Sequence, residues 1–194
     1  PGIGKSSLLD EFCNQIASTG AVVLRSRYYE STGIRSYHGM IIELKSYLRR
    51  LRANRERFLE IFGAEADELM QEVAQIWQTG GLASYSAAQE VRDRNFSTLA
   101  KAFSLLARHK PVLLAVDDLH WSDESAQELL GHFAHTLGNE RLLIAASARN
   151  SNVREGFKSW LNSFGRSCNI LQLHRMQKQQ IVEMLEAIFG RIGM

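Results

Sequence analysis

Pro1-Gly2-Ile3-Gly4-Lys5-Ser6-Ser7 heads the chain and runs directly into an apolar pattern, Leu8, Leu9, Phe12 and Ile16, at helical spacing. Gly2 and Gly4 let the backbone curl so that successive N–H groups point inward. A helix starting near Ser6 aims its positive end at the same point. Lys5 adds a point charge on a long stem, and Ser6 a hydroxyl placed to ligate Mg²⁺. These are the parts of a polyphosphate cradle: Gly2, Ile3, Gly4, Lys5, Ser6 and Ser7 form the back half of G-x-x-x-x-G-K-[ST]. Within it Ser7 reads as a bystander in the first helical turn. The alternative is a glycine-rich turn before a helix that binds nothing. The first glycine of the full pattern is expected two residues before Pro1, and the chain is then part of a longer protein.

Outward from this loop the pattern alternates. Residues 6–18 read as a helix, 21–26 as a short β-branched strand and 28–37 as a loop. A long helical stretch is expected over 38–62, with Met40, Ile41, Leu44, Leu48 and Leu51 on one side, then a second helix over 64–77. Thr79-Gly80-Gly81 breaks it, and a third helix is expected over 87–108, striped by Phe96, Leu99, Phe103 and Leu106. Pro111 introduces a continuous apolar run, 112–116, of the kind found in strands covered on both faces. Ser122 or Asp123 caps a further helix to about residue 137. A buried strand is expected at 142–146, a helix at 154–164, a last short strand at 170–173 and a last helix at 177–189. Strands alternating with helices define an α/β domain of three layers with a parallel sheet. In such sheets ligands sit at the carboxyl ends of the strands. The phosphate loop, Asp117-Asp118 and Arg149 all fall there. The expectation is one P-loop domain over residues 1–194, cut within its phosphate loop, incomplete at its C-terminal end and lacking its central first strand.

Composition narrows the classes. The 194 residues fit one domain, and 45% hydrophobic with 23% charged residues is ordinary for a globular protein. A net charge of +2 offers no case for nucleic acid or a membrane surface. Lys45, Arg49, Arg50, Arg52, Arg55 and Arg57 cluster, but Glu43, Glu56 and Glu60 interrupt them, as on a solvated helix face. Cys13 and Cys168 are far apart and neither has a C-x-x-C partner, so two free thiols and a cytoplasmic setting are expected.

The apolar strand at 112–116 ends in Asp117-Asp118. Adjacent carboxylates repel, and burial makes each costlier to keep ionised. A divalent cation removes that difficulty. Asp117 would hold Mg²⁺, largely through its waters, and Asp118 would orient or deprotonate the attacking water of phosphoryl transfer. The bland alternative has Asp118 capping a turn and Asp117 facing solvent. Arg149, after the strand at 142–146, is either a γ-phosphate sensor or a surface arginine; position alone does not separate the two. His120 has no second histidine at ligand spacing and reads as packing or surface.

Val112-Leu113-Leu114-Ala115-Val116-Asp117-Asp118-Leu119-His120-Trp121-Ser122-Asp123 resembles the extended Walker B segment of the signal-transduction ATPases with numerous domains. It is similar to the ATPase module of large bacterial regulators: adenylate-cyclase-linked ATPases, LuxR-type activators and multidomain sensor kinases. Residues 26–37, with Glu30 and Tyr37, also look like the stretch after the second strand of that family. The resemblance implies an AAA+-related core in which the strand carrying Arg149 lies between the phosphate-loop strand and the Asp117 strand. It implies Lys5 and Ser6 as Walker A, Asp117 and Asp118 as Walker B, Arg149 as sensor arginine, and Trp121 and Asp123 as shapers of the turn. The family usually has a proline soon after its last strand; Leu171-Gln172-Leu173-His174-Arg175-Met176 has none.

The function expected is an ATP-binding, slowly hydrolysing switch in a multidomain signalling or transcription regulator. ATP and Mg²⁺ are the cofactors. Lys5, Asp118 and Arg149 are the catalytic candidates, and Ser6 and Asp117 the metal ligands. Partners are effector and sensor domains of the same protein, with nucleotide-dependent self-association as a further possibility and neither membrane nor direct nucleic-acid binding. The rival classes are a DNA-binding AAA+ initiator or loader, and a nucleotide-binding scaffold without turnover.

Overall fold

The computed structural model describes residues 2–30, 37–79, 88–149 and 155–190. Helix Lys5–Ser18 (α1) leads into strand Val22–Arg27 (β1). Four helices follow, His38–Arg52 (α2), Arg55–Phe62 (α3), Ala66–Thr79 (α4) and Ala88–His109 (α5). Strand Val112–Asp117 (β2), helix Glu124–Thr136 (α6) and strand Leu142–Ala146 (β3) then alternate before helices Glu155–Ser163 (α7) and Lys178–Phe189 (α8). The sheet is parallel throughout, in the order β1-β2-β3. The fold is α/β with helices on both faces of the sheet. β3 lies beside the Asp117 strand on the side away from β1.

β2 is the axis of the molecule, buried at every residue. Its side chains alternate between two layers. Val112, Leu114 and Val116 join the large cluster built from α2, α3, α4, α5 and α6, including Leu44, Phe58, Phe103 and Phe133. Leu113 and Ala115 face the other way, against Cys13 with Leu9, Phe12 and Ile16 of α1. α1 is thereby held across the sheet with its N-terminus at the carboxyl end of β2. Gly39 lets α2 dock on β1: a Cβ there would lie 2.6 Å from the Ser26 hydroxyl. Cys13 is buried and both cysteines are free.

Three expectations need correction. The helix expected over 38–62 is two helices. Asn54 adopts an extended backbone (φ −104°, ψ 94°) and its side chain accepts from the Arg57 N–H at 3.0 Å, starting α3 afresh. The apolar stripe continues across the break, so periodicity alone hides it. The strand at 142–146 is not covered on both faces: Leu143 is 52% exposed, because among the described residues β3 is the sheet edge. The strand expected at 170–173 does not form. Ile170 and Leu171 are exposed and pair with no strand among the described residues, and an apolar run gains little from extension without a neighbour to pack on. α8 is capped by reciprocal Gln177 and Gln180 contacts, but its described side chains are exposed all round. The expected loop at 31–36, the glycine break at 80–81 and the start of the helix at 154 lie outside the described residues, as does Pro1.

Phe103 packs against Phe133 with ring centroids 4.9 Å apart and planes tilted by 51°, tying α5 to α6 over the sheet. Phe103→Ala should lower unfolding stability by about 3–5 kcal/mol. Leu8→Ala, at a half-exposed position on α1, should change it by no more than about 0.5 kcal/mol in the same urea titration.

Candidate functional site

Gly2 and Gly4 both hold positive φ, 79° and 90°, which a side chain would strain. A Cβ at either would meet nothing within 4 Å among the described residues. α1 begins at once after Gly4, with no side chain capping it and no acidic residue in its first turn. Its first N–H groups therefore keep their hydrogen-bonding capacity and positive potential for an outside anion.

β2 ends within reach of this loop. The Asp117 carboxylate, 11% exposed, accepts the Ser6 hydroxyl on Oδ1 at 3.1 Å across 111 residues of sequence. The Ser147 hydroxyl and the Asp118 N–H also reach Oδ1, the latter at 3.1 Å. Oδ2 is gripped by the Arg27 guanidinium, through Nε at 2.8 Å and through a terminal nitrogen. Burial pushes this carboxyl upward, but Ser147, Arg27 and Ser6 together outweigh it and hold Asp117 below its ordinary value. The acid is ionised at neutral pH.

Asp118 is the sole non-glycine residue with positive φ among the described residues (φ 55°, ψ 40°). Its N–H bonds the Ser147 hydroxyl at 3.1 Å, while the Leu119 N–H bonds the Ser147 carbonyl at 2.8 Å. These bonds pin the reversal after β2 to the end of β3. The Asp118 side chain is 25% exposed and no side-chain cap bond engages it, so it is neither a capping group nor fully solvated. Asp123 is the cap of α6, accepting from the Ala126 N–H at 2.9 Å.

His120 sits under this turn, its side chain 4% exposed. Burial lowers its pKa; Asp118 opposes, and Arg149 and Lys5 push the same way as burial. The ring is therefore neutral at neutral pH. Its Nδ1 accepts the Arg149 N–H at 3.4 Å, and the 3.9 Å approach to Asp118 is not an ion pair. The Nε2 atom is buried without a partner among the described residues. The charges of Lys5, Asp117, Asp118 and Arg149 all act on this one imidazole. Arg149 itself is exposed, and its backbone is fixed to His120.

Arg27 and Ser147 carry no role in the sequence reading, yet they are principal partners of Asp117. A signal existed for both. Each is a polar residue at the exit of an apolar strand, and parallel strands in register end side by side.

The groups present suit a polyphosphate and a hard cation: an uncapped helix N-terminus behind a glycine loop, a carboxylate and a hydroxyl. No group of three or more His, Cys, Asp or Glu side chains could hold a metal among the described residues. Loop, parallel sheet and flanking helices define a P-loop NTPase-like domain. The chain matches the AAA ATPase domain model over residues 1–145 and belongs to that family. Its members typically use ATP and Mg²⁺. A segment of 86 residues is 28% identical to an uncharacterized protein of Rhizobium meliloti (strain 1021), covering 44% of this chain and 8% of that protein's length. No solved structure matches the chain. No described helix is long and apolar enough to cross a membrane.

His120 offers a pH test. Its folded pKa lies below the ordinary 6.5, so the unfolded chain binds the proton more readily. Its contribution is complete above about pH 6.5 and is lost as pH falls toward the folded value. Asp117 acts the same way only below its ordinary 3.8. Thermal or urea unfolding between about pH 7 and pH 5 should show a stability loss that is reduced in His120→Gln. The difference between the two proteins should not exceed about 1.4 kcal/mol per pH unit.

Proposed function

We propose that the chain is the ATP-binding, slowly hydrolysing switch module of a multidomain signalling or transcription regulator, of the class of signal-transduction ATPases with numerous domains. Residues 1–194 act as one domain in this reading. The observation that carries it is the Ser6–Asp117 hydrogen bond of 3.1 Å, which joins the phosphate loop to the tip of β2. A loop hydroxyl meeting a strand-end acid across 111 residues is what a site shared by the two would need, and it supports that reading.

The roles follow from position. Gly2, Ile3 and Gly4 present backbone, and the N-terminus of α1 with Ser6 and Ser7 faces the phosphates. Lys5 supplies positive charge to the β- and γ-oxygens. Ser6 and Asp117 would hold Mg²⁺, which when bound neutralises charge on the phosphate oxygens. Asp118 lies one residue beyond the metal acid on a reversed backbone. Its carboxylate, free of a cap bond, orients and accepts a proton from the attacking water. Arg149, anchored through its backbone to His120, reads the γ-phosphate as a cation at the exit of β3. Differential contact with that phosphate would bias two arrangements of the module, and attached effector and sensor domains would read the difference.

Lys5→Ala should weaken ATP binding by at least about tenfold in calorimetric titration, since it deletes a charged hydrogen-bond donor. Asp118→Asn should leave ATP affinity within about threefold but lower phosphate release by about 100-fold or more. Unchanged ATP affinity in Lys5→Ala would refute the site.

A further inference from the structure

The two oxygens of Asp117 are differently occupied. Oδ1 takes neutral donors: the Ser6 and Ser147 hydroxyls and the Asp118 N–H. Among the described residues, Oδ2 accepts only from Arg27, which grips it with two nitrogens. The grip is built into the sheet. Parallel register sets Arg27 directly beside Asp117 at the last rung of β1 and β2, and the Tyr28 N–H bonds the Asp117 carbonyl at 3.0 Å just beyond. Yet the Arg27 side chain is 47% exposed, against 11% for Asp117. β1 is held by Val22 and Leu24, both buried, and does not need the guanidinium for its core.

A half-solvated cation thus holds one face of a nearly buried acid, at the acid assigned above to the metal. We infer that Arg27 is the resident counter-cation of Asp117, which must give up Oδ2 before that oxygen can serve a hydrated divalent ion. Two cations on one carboxylate oxygen repel, and the guanidinium fills the space a hydration shell needs. Arg27 has solvent to turn into, and an incoming polyphosphate gives it a new anion. The consequence is antagonism between Arg27 and Mg²⁺ at Asp117. Arg27 favours nucleotide without metal and opposes the metal's added contribution, and the coupling is reciprocal. This inference rests on the nucleotide reading above.

The test compares the full chain with Arg27→Gln and Arg27→Lys. ATP dissociation constants are measured by calorimetry in EDTA and in saturating Mg²⁺. For Arg27→Gln the ratio of the metal-free constant to the Mg²⁺ constant should rise by about fivefold, the upper range for an ion pair with one exposed partner. Arg27→Lys, which keeps charge but not the fork, should raise it by about twofold. Mg²⁺ without nucleotide should raise the melting temperature of Arg27→Gln more than that of the parent. A ratio that stays level or falls in both variants overturns the inference and makes Arg27 a strand-end prop with no opposition to the metal. Should Arg27→Gln not fold, the Lys variant decides by the same ratio. Failure of the parent to bind ATP in either buffer would sink the nucleotide reading itself; normal binding with unmoved ratios sinks only the role of Arg27.

Discussion

An ionised carboxylate at the end of an apolar strand is the constraint around which this molecule is arranged. Asp117 follows five residues that are all buried, and it is almost out of water itself. Left unpaired there it would be too costly to keep charged. It is satisfied by donors from four places: Ser6 on α1, Arg27 on β1, the following Asp118 N–H, and Ser147 beyond β3. Meeting that demand fixes the register of the sheet ends and brings α1 to the same corner. The strand interior matters as much, since Leu113 and Ala115 hold α1 from the opposite face. Remove the packing and the phosphate loop has no fixed relation to the acid.

The turn after the strand solves a second problem. The chain must reverse within one residue so that consecutive acids do not share one environment. Asp118 does this by adopting a left-handed backbone, a conformation aspartate tolerates better than most residues. Its N–H is then spent on Ser147 and Asp117, while its carboxylate is left without a cap bond. One acid is locked and the next is available. His120 lies below and links the same turn to the backbone of Arg149, so the cation at the exit of β3 and the acids at the exit of β2 are mechanically joined. Among the described residues the Nε2 atom of His120 has no partner, so this link is held with one buried polar group unmet.

The larger helical layer stands apart from this chemistry. α2 to α5, with α6, cover one face of the sheet and carry most of the aromatic core, with Phe58, Phe103 and Phe133 fully buried. Arg52 and Arg55 of this layer pair with Asp67. The layer supplies the rigidity that a site built on strand ends requires. α8 contributes none of it, since its described residues stay exposed.

What the sequence determined by itself was set by local chemistry. Glycines before Lys5-Ser6 and an apolar run ending in Asp117-Asp118 carry their meaning in spacing, and helix and strand identities follow from periodicity. The break at Asn54 escaped because a side-chain cap interrupts a helix without disturbing its apolar stripe. The missing strand at 170–173 escaped because extension depends on a neighbour, which a sequence window does not contain. Only the tertiary structure could decide that Arg27, Ser147 and Ser6 converge on one carboxylate, and that Asp117 rather than Asp118 is the locked acid. Those contacts join residues 30 to 111 positions apart. Parallel strands meet through crossover connections, so what ends beside what is settled by sheet order and register rather than by distance along the chain.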